Sequence, residues 1–119
     1  MRKLVLTTGI YRFRTTHRHH TVGAGPVKTC QELFSAYLDG FPRSPLRLLF
    51  TETDERGAEY IRRAGVVQVY QAVPLSATNL NLPATARALI ERALVAGWNP
   101  RVATRPFELD GWTVIEPTD

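Results

Sequence analysis

The sequence predicts an α+β fold: a mostly antiparallel sheet of about four to six strands with two helices packed on one face. Three observations lead there. Several short segments either alternate apolar with polar residues or are rich in β-branched and aromatic ones, the pattern of strands. Two longer segments place apolar residues at i, i+3, i+4, i+7 and i+8, the stripe of an amphipathic helix. The connections are short, which disfavours the long crossovers that parallel neighbours need, although a strand following a helix can still pair in parallel. The chain has 119 residues, 44% hydrophobic and 22% charged, a balance that excludes a disordered chain and fits a single globular domain spanning residues 1–119.

In chain order, Leu4-Val5-Leu6 and Tyr11-Arg12-Phe13-Arg14-Thr15 read as two strands joined around Thr8-Gly9. The second alternates, with Tyr11, Phe13 and Thr15 on one side and Arg12, Arg14 and Thr16 on the other, so it is expected to be half buried. Residues 17–26 read as a loop, because Gly23, Gly25 and Pro26 interrupt regular structure. Thr29-Cys30-Gln31-Glu32 has the spacing of a capping box, in which the threonine oxygen accepts a backbone amide and the glutamate reaches back. Cys30, Leu33, Phe34, Tyr37 and Leu38 then share one helical face, and Gly40 and Pro42 end the helix. Pro45 to Thr51 reads as a strand with Leu46, Leu48 and Phe50 inward.

Residues 53–65 fit either a partial helix through Ala58, Ile61 and Ala64 or a loop, since Gly57 weakens the helical pattern. Val66 to Gln71 is β-branched and aromatic and reads as a strand. The second helix is entered at Pro83, where a missing amide costs nothing. Ala86, Leu89, Ile90, Ala93 and Leu94 form its apolar stripe, and Arg87 and Glu91 make an i,i+4 pair on its outer side. Gly97 ends it, Trp98 folds back onto its last turn, and Pro100 prevents a restart. Residues 107–115 read as a hairpin, because Asp110-Gly111 suits a tight turn.

Charge is uneven along the chain. The formal net charge is +4, yet residues 1–50 carry eight basic and two acidic side chains while residues 51–119 carry seven and nine. Of the 15 basic residues 13 are arginine, the side chain suited to carboxylate and phosphate recognition. The basic half therefore admits a nucleic-acid face or a surface that steers an acidic protein partner. No run of about 20 apolar residues is present to span a membrane. The opening Met1-Arg2-Lys3-Leu4-Val5-Leu6 is too short in apolar residues for a signal-peptide core, and a cytoplasmic protein is expected.

The patterns that would carry chemistry are weak. His17-Arg18-His19-His20 would put His17 and His19 on one face if the strand continued, a pair of imidazoles short of a metal cage unless Cys30 or Glu32 joined it. Gly23 to Thr29 resembles a phosphate loop but has Val22 and Val27 where the glycines belong, leaving only a generic anion site near Lys28. Cys30 falls on the apolar stripe and reads as a buried thiol; as the only cysteine it excludes a disulfide framework. Glu52, Asp54 and Glu55 are followed by Arg56, Arg62 and Arg63 and read as a solvated, salt-bridged loop. Trp98 and Trp112 read as core-edge residues.

The helix running into Gly97-Trp98-Asn99-Pro100, with the Asn79-Leu80-Asn81-Leu82-Pro83 entry and the Tyr11-Arg12-Phe13 strand, resembles small uncharacterised bacterial α+β domains in which a late helix runs into Gly-Trp-x-Pro. The resemblance spans about half of the chain and implies no activity and no functional residues.

With every catalytic pattern incomplete, the expected function is a small non-catalytic protein-interaction module, of immunity or adaptor type, without a cofactor. A nucleic-acid binder using the basic N-terminal half is the alternative. A metal-dependent enzyme uniting residues 17–20 with residues 52–55 is the third reading. The residues expected to meet a partner or anion are Arg12, Arg14, His17, Arg18, His19, His20 and Lys28. For nucleic acid, Arg12 and Arg14 project from the same side of a strand about 6–7 Å apart. The aromatics that single-strand binding needs, Tyr11 and Phe13, fall on the other side.

Overall fold

Strand alternation, carried by four consecutive segments of the first 51 residues, builds the main sheet. A computed structural model describes residues 1–21, 28–51, 56–58, 66–69, 76–102 and 104–115. The strands are β1 (Arg2–Leu6), β2 (Gly9–Thr21), β3 (Lys28–Leu38), β4 (Leu46–Thr51), β5 (Arg56–Ala58), β6 (Val66–Val69), β7 (Ser76–Asn79) and β8 (Phe107–Asp110). The helices are α1 (Pro83–Val95) and α2 (Gly111–Ile115). A five-stranded sheet has the order β1-β2-β3-β4-β8, and a three-stranded sheet the order β5-β6-β7. All pairings are antiparallel except β4 with β8. The α+β class with a mostly antiparallel sheet is therefore the observed one.

Register places the core. Tyr11 faces Leu38, Phe13 faces Ala36 and Thr15 faces Phe34 across β2 and β3, while Phe34 faces Leu48 and Ala36 faces Leu46 across β3 and β4. Because side chains alternate along a strand, these residues share one face. Tyr11, Phe13, Phe34, Ala36, Leu38, Leu46, Leu48 and Phe50 are all buried, in one cluster with Ala86, Leu89, Ile90 and Ala93 of α1. The stripe read from the sequence of α1 is thus the stripe it buries. The helix starts at Pro83 with no side-chain cap, and Arg87 pairs with Glu91 at 3.0 Å. It ends in a Schellman arrangement, with the amides of Gly97 and Trp98 donating to the carbonyls of Leu94 and Ala93 and Gly97 at φ +116°, where a glycine avoids the Cβ clash. Trp98 folds into the core as expected and donates its Nε1–H to the carbonyl of Ser44 at 3.0 Å.

Three expectations need correction. Residues 30–38 form no helix: they lie within β3. The segment carries both periods, and its even positions Glu32, Phe34, Ala36 and Leu38 are all buried. Hydrogen-bonding partners on both sides, β2 and β4, decide for the strand, because a sheet context overrides a modest helical preference. Secondly, residues 17–21 are no loop but continue β2, paired to residues 28–32.

Thirdly, Asp110-Gly111 makes no hairpin. Asp110 ends β8 and its Oδ1 accepts the amide of Trp112 at 3.0 Å, so the carboxylate caps the first turn of α2 as an aspartate does at a helix start. Gly111 is required by space, since a Cβ there would lie 2.5 Å from the Phe50 ring. Trp112 meets Phe50 edge-on with ring centroids 5.3 Å apart and donates its Nε1–H to the carbonyl of Thr51 at 2.9 Å. Arg92 of α1 donates to the carbonyls of Val114 and Ile115 at 3.0 and 3.1 Å, tying the two helices together. The acidic run at 52–55, the glycine-rich segment 23–27 and most of 53–65 lie outside the described residues. No helix among the described residues is long and apolar enough to cross a membrane.

Candidate functional site

Seven residues were expected to meet a partner, and the β2–β3 ribbon carries all of them. Arg12, Arg14 and Arg18 alternate with the buried aromatics of β2 and so occupy the face of the sheet opposite the core. That outer face continues across the register. Arg12 lies opposite Tyr37, Arg14 opposite Ser35, Thr16 opposite Leu33 and Arg18 opposite Gln31. On the far side Leu33 faces Leu49 and Ser35 faces Arg47, while Lys3 and Val5 of β1 lie opposite Arg12 and Ile10. The surface is a lattice of arginines with apolar residues between them.

The arginines differ in their neighbours. Arg12 lies 3.8 Å from Asp39 and Arg47 lies 3.4 Å from Glu108, both partly exposed pairs of the kind worth about 0–1 kcal/mol. Arg18 donates to the Gln31 side chain at 3.0 Å, which in turn donates to the Thr51 hydroxyl at 2.9 Å. Arg14 is exposed and has no carboxylate within salt-bridge distance among the described residues. It lines a shallow groove of about 310 Å³ together with Met1, Leu33, Tyr37, Arg47 and Pro106.

His17 is not part of this surface. Its side chain lies on the core side, 5% exposed, with Nδ1 2.5 Å from Oε1 of a Glu32 that is 0% exposed. The two residues are directly opposed in the β2–β3 register, and Glu32 is opposed on its other side by the buried Phe50. The second carboxylate oxygen, Oε2, is buried without a hydrogen-bond partner among the described residues. Beside this pair Thr15 donates its hydroxyl to Asn81 Oδ1 at 2.5 Å, and the Asn81 amide is held by Asn79 Oδ1 at 2.9 Å. Arg2 donates to the Asn81 carbonyl while its guanidinium lies 5.5 Å from the centre of the Phe13 ring. A polar string thus runs along one end of the core.

The glutamate read from the sequence as a helix cap is therefore a buried partner of His17. Strand phase turns both side chains inward without pairing them: Glu32 is two residues before Phe34, and His17 two after Thr15, each in step with the inward residues of its strand. His19, His20 and Lys28 occupy register positions opposite Cys30, Thr29 and Thr21, farther along the same ribbon. Among the described residues no three His, Cys, Asp or Glu side chains gather as a metal site would require. Comparison with protein-family models, with curated proteins and with solved structures finds no match to this chain.

Proposed function

We propose that this protein is a small, non-catalytic interaction module of the cytoplasm, of adaptor or immunity type, whose outer sheet face receives an acidic protein partner. The observation that carries the reading is Arg14. It is an exposed guanidinium with no carboxylate within salt-bridge distance among the described residues, set on a strand and lining a groove of mixed polar and apolar walls. Interfaces of this kind combine arginine with apolar contacts and a polar rim, and paired carboxylates on a partner can satisfy the planar fork bidentately. Arg18 stands about 13 Å farther along the same face, from the rise of a strand, and gives the partner a second anchor. Arg12 and Arg47 are held only by weak surface pairs and can exchange Asp39 and Glu108 for a partner's carboxylates.

Protein is favoured over nucleic acid by the same face. Leu49, Val5 and Ile10 offer apolar contact, and Tyr37 is the one ring among the outer-face register positions named above. Single-strand binding relies on several exposed aromatics for stacking.

The test is capture of a stoichiometric partner by the tagged full chain from its own cell extract, repeated with the double variant Arg14→Glu/Arg18→Glu. The expected result is a protein retained after nuclease treatment, weakened by salt, and lost from the double variant while the variant's thermal unfolding is unchanged. Recovery of nucleic acid that nuclease removes would replace this reading with the basic-face alternative. A partner retained equally by the double variant would refute the assignment of the face.

A further inference from the structure

A second site lies at the end of the sheet where β3 turns into β4, apart from the outer face. The turn of residues 40–44 and the segment that follows α1 flank an open pocket of about 280 Å³, to which Phe41, Pro42, Arg43, Ser44, Arg101 and Val102 contribute. Its walls are fixed to each other. Ser44 is 1% exposed; its hydroxyl donates to the carbonyl of Asn99 at 3.3 Å, and its own carbonyl accepts the indole N–H of the buried Trp98. Gly40 at φ +90° and Pro42 shape the turn.

Two arginines, Arg43 and Arg101, line this pocket. Arg101 is held in place, 5.5 Å over the Phe41 ring and donating through Nη2 to the carbonyl of Thr8 at 3.2 Å. An arginine has five N–H donors, so that single bond leaves most of its fork available. Arg43 is exposed, and neither arginine has a carboxylate within 4.0 Å among the described residues. No acidic residue lines the pocket among the described residues, while Phe41 and the 72% exposed Val102 supply apolar surface beside the charges.

We infer that this pocket binds a small organic carboxylate, the apolar body lying against Phe41, Pro42 and Val102 and the carboxylate held by Arg43 and Arg101. The fork of an arginine matches carboxylate and phosphate alike, so the backbone selects the class. Phosphate cradles are built from convergent backbone amides, and here the amides of Phe41, Ser44 and Val102 already donate to the carbonyls of Leu38, Phe41 and Asn99, while Pro42 has none. The volume suits a ligand at or below the lower end of ordinary small-molecule sites. The free carboxylate of a peptide C-terminus with an apolar last residue presents the same chemistry as a small aryl or alkyl acid.

The experiment is a two-dimensional amide NMR titration of the full chain with phenylacetate, with acetyl-phenylalanine, acetate and inorganic phosphate as comparison probes. Saturable shifts at Gly40, Arg43, Arg101 and Val102 are expected for phenylacetate, with a Kd on the order of 1 mM, the range of about 4 kcal/mol of binding. Acetate and phosphate should bind at least about tenfold more weakly. Arg43→Gln and Arg101→Gln should each weaken phenylacetate about tenfold, and Arg101→Lys should not restore it, because a lysine lacks the fork. Tighter binding of acetyl-phenylalanine than of phenylacetate identifies a peptide terminus as the natural source; the reverse identifies a free acid. No saturable shift, shifts centred elsewhere, phosphate binding as tightly as phenylacetate, or undiminished affinity in both glutamine variants would overturn the proposal. Arg43 makes no hydrogen bond or ion pair among the described residues, so its variant tests the site even if Arg101→Gln disturbs the fold.

Discussion

The pairing of His17 with Glu32 lends itself to a quantitative test. Glu32 is 0% exposed and its Oε1 lies 2.5 Å from His17 Nδ1, so the substitution Glu32→Met, close in volume, removes the acceptor of a buried imidazole and leaves the packing against Phe50 nearly intact. The cost of removing a hydrogen-bond partner from a buried polar group is about 1–3 kcal/mol. Full burial of the pair puts the expectation at the upper end, about 3 kcal/mol. An unfolding entropy of about 2.1 cal/mol/K per residue over 119 residues gives about 0.25 kcal/mol/K, so this loss lowers Tm by about 12 °C. The second substitution, His17→Phe, removes the other polar member. In the double variant neither buried polar group remains, and most of the loss is recovered, because apolar residues of similar size replace buried pairs at little net cost.

Urea and thermal unfolding of wild type, both single variants and the double variant complete the cycle, with an expected coupling of about 2 kcal/mol between the sites. A Glu32→Met loss below about 1 kcal/mol, or coupling below about 0.5 kcal/mol, would refute the view that the pair is a mutually dependent unit holding β2 and β3 in register.

Two other substitutions probe the remaining core contacts. Gly111→Ala forces a methyl to within 2.5 Å of the Phe50 ring; since Phe50 is fully buried, the expected loss is about 1–3 kcal/mol in urea unfolding, and a change within about 0.5 kcal/mol would show that α2 shifts freely. Trp98→Phe removes the indole N–H that Ser44's carbonyl accepts, with an expected loss of about 1–2 kcal/mol and a weaker phenylacetate titration in the adjoining pocket. Unchanged phenylacetate affinity would show that the pocket walls do not depend on this link.

Local pattern was enough for elements whose own residues speak with one period. The helix from Pro83 to Val95, with its stripe, its Arg87–Glu91 pair and its glycine stop, is legible because every one of those signals lies within four residues of its partner. The strands read at 4–6, 11–15, 45–51 and 66–71 overlap β1, β2, β4 and β6 for the same reason: the pattern is a property of the segment. The outward placement of Arg12 and Arg14 follows from it.

What the chain's own pattern leaves undecided, tertiary structure resolved by hydrogen bonding and space. Residues 30–38 satisfy a helical stripe and a strand alternation at once, and the choice was made by β2 and β4, which lie on either side and complete the backbone hydrogen bonds of β3. With that choice Glu32 ceased to be a helix cap and became the buried partner of His17, a relation across 15 residues that no local spacing encodes. Asp110-Gly111 is a turn signal by itself, but the parallel pairing of β8 with β4 carries the chain under Phe50, where only a glycine fits and the aspartate caps a helix instead. The sequence by itself determined the α+β class, the second helix and the two-sided character of the basic strand, since these depend on neighbours along the chain. The third dimension alone decided the identity of β3, the His17–Glu32 pair and the pocket shared by Arg43 and Arg101, since each depends on residues brought together from distant positions.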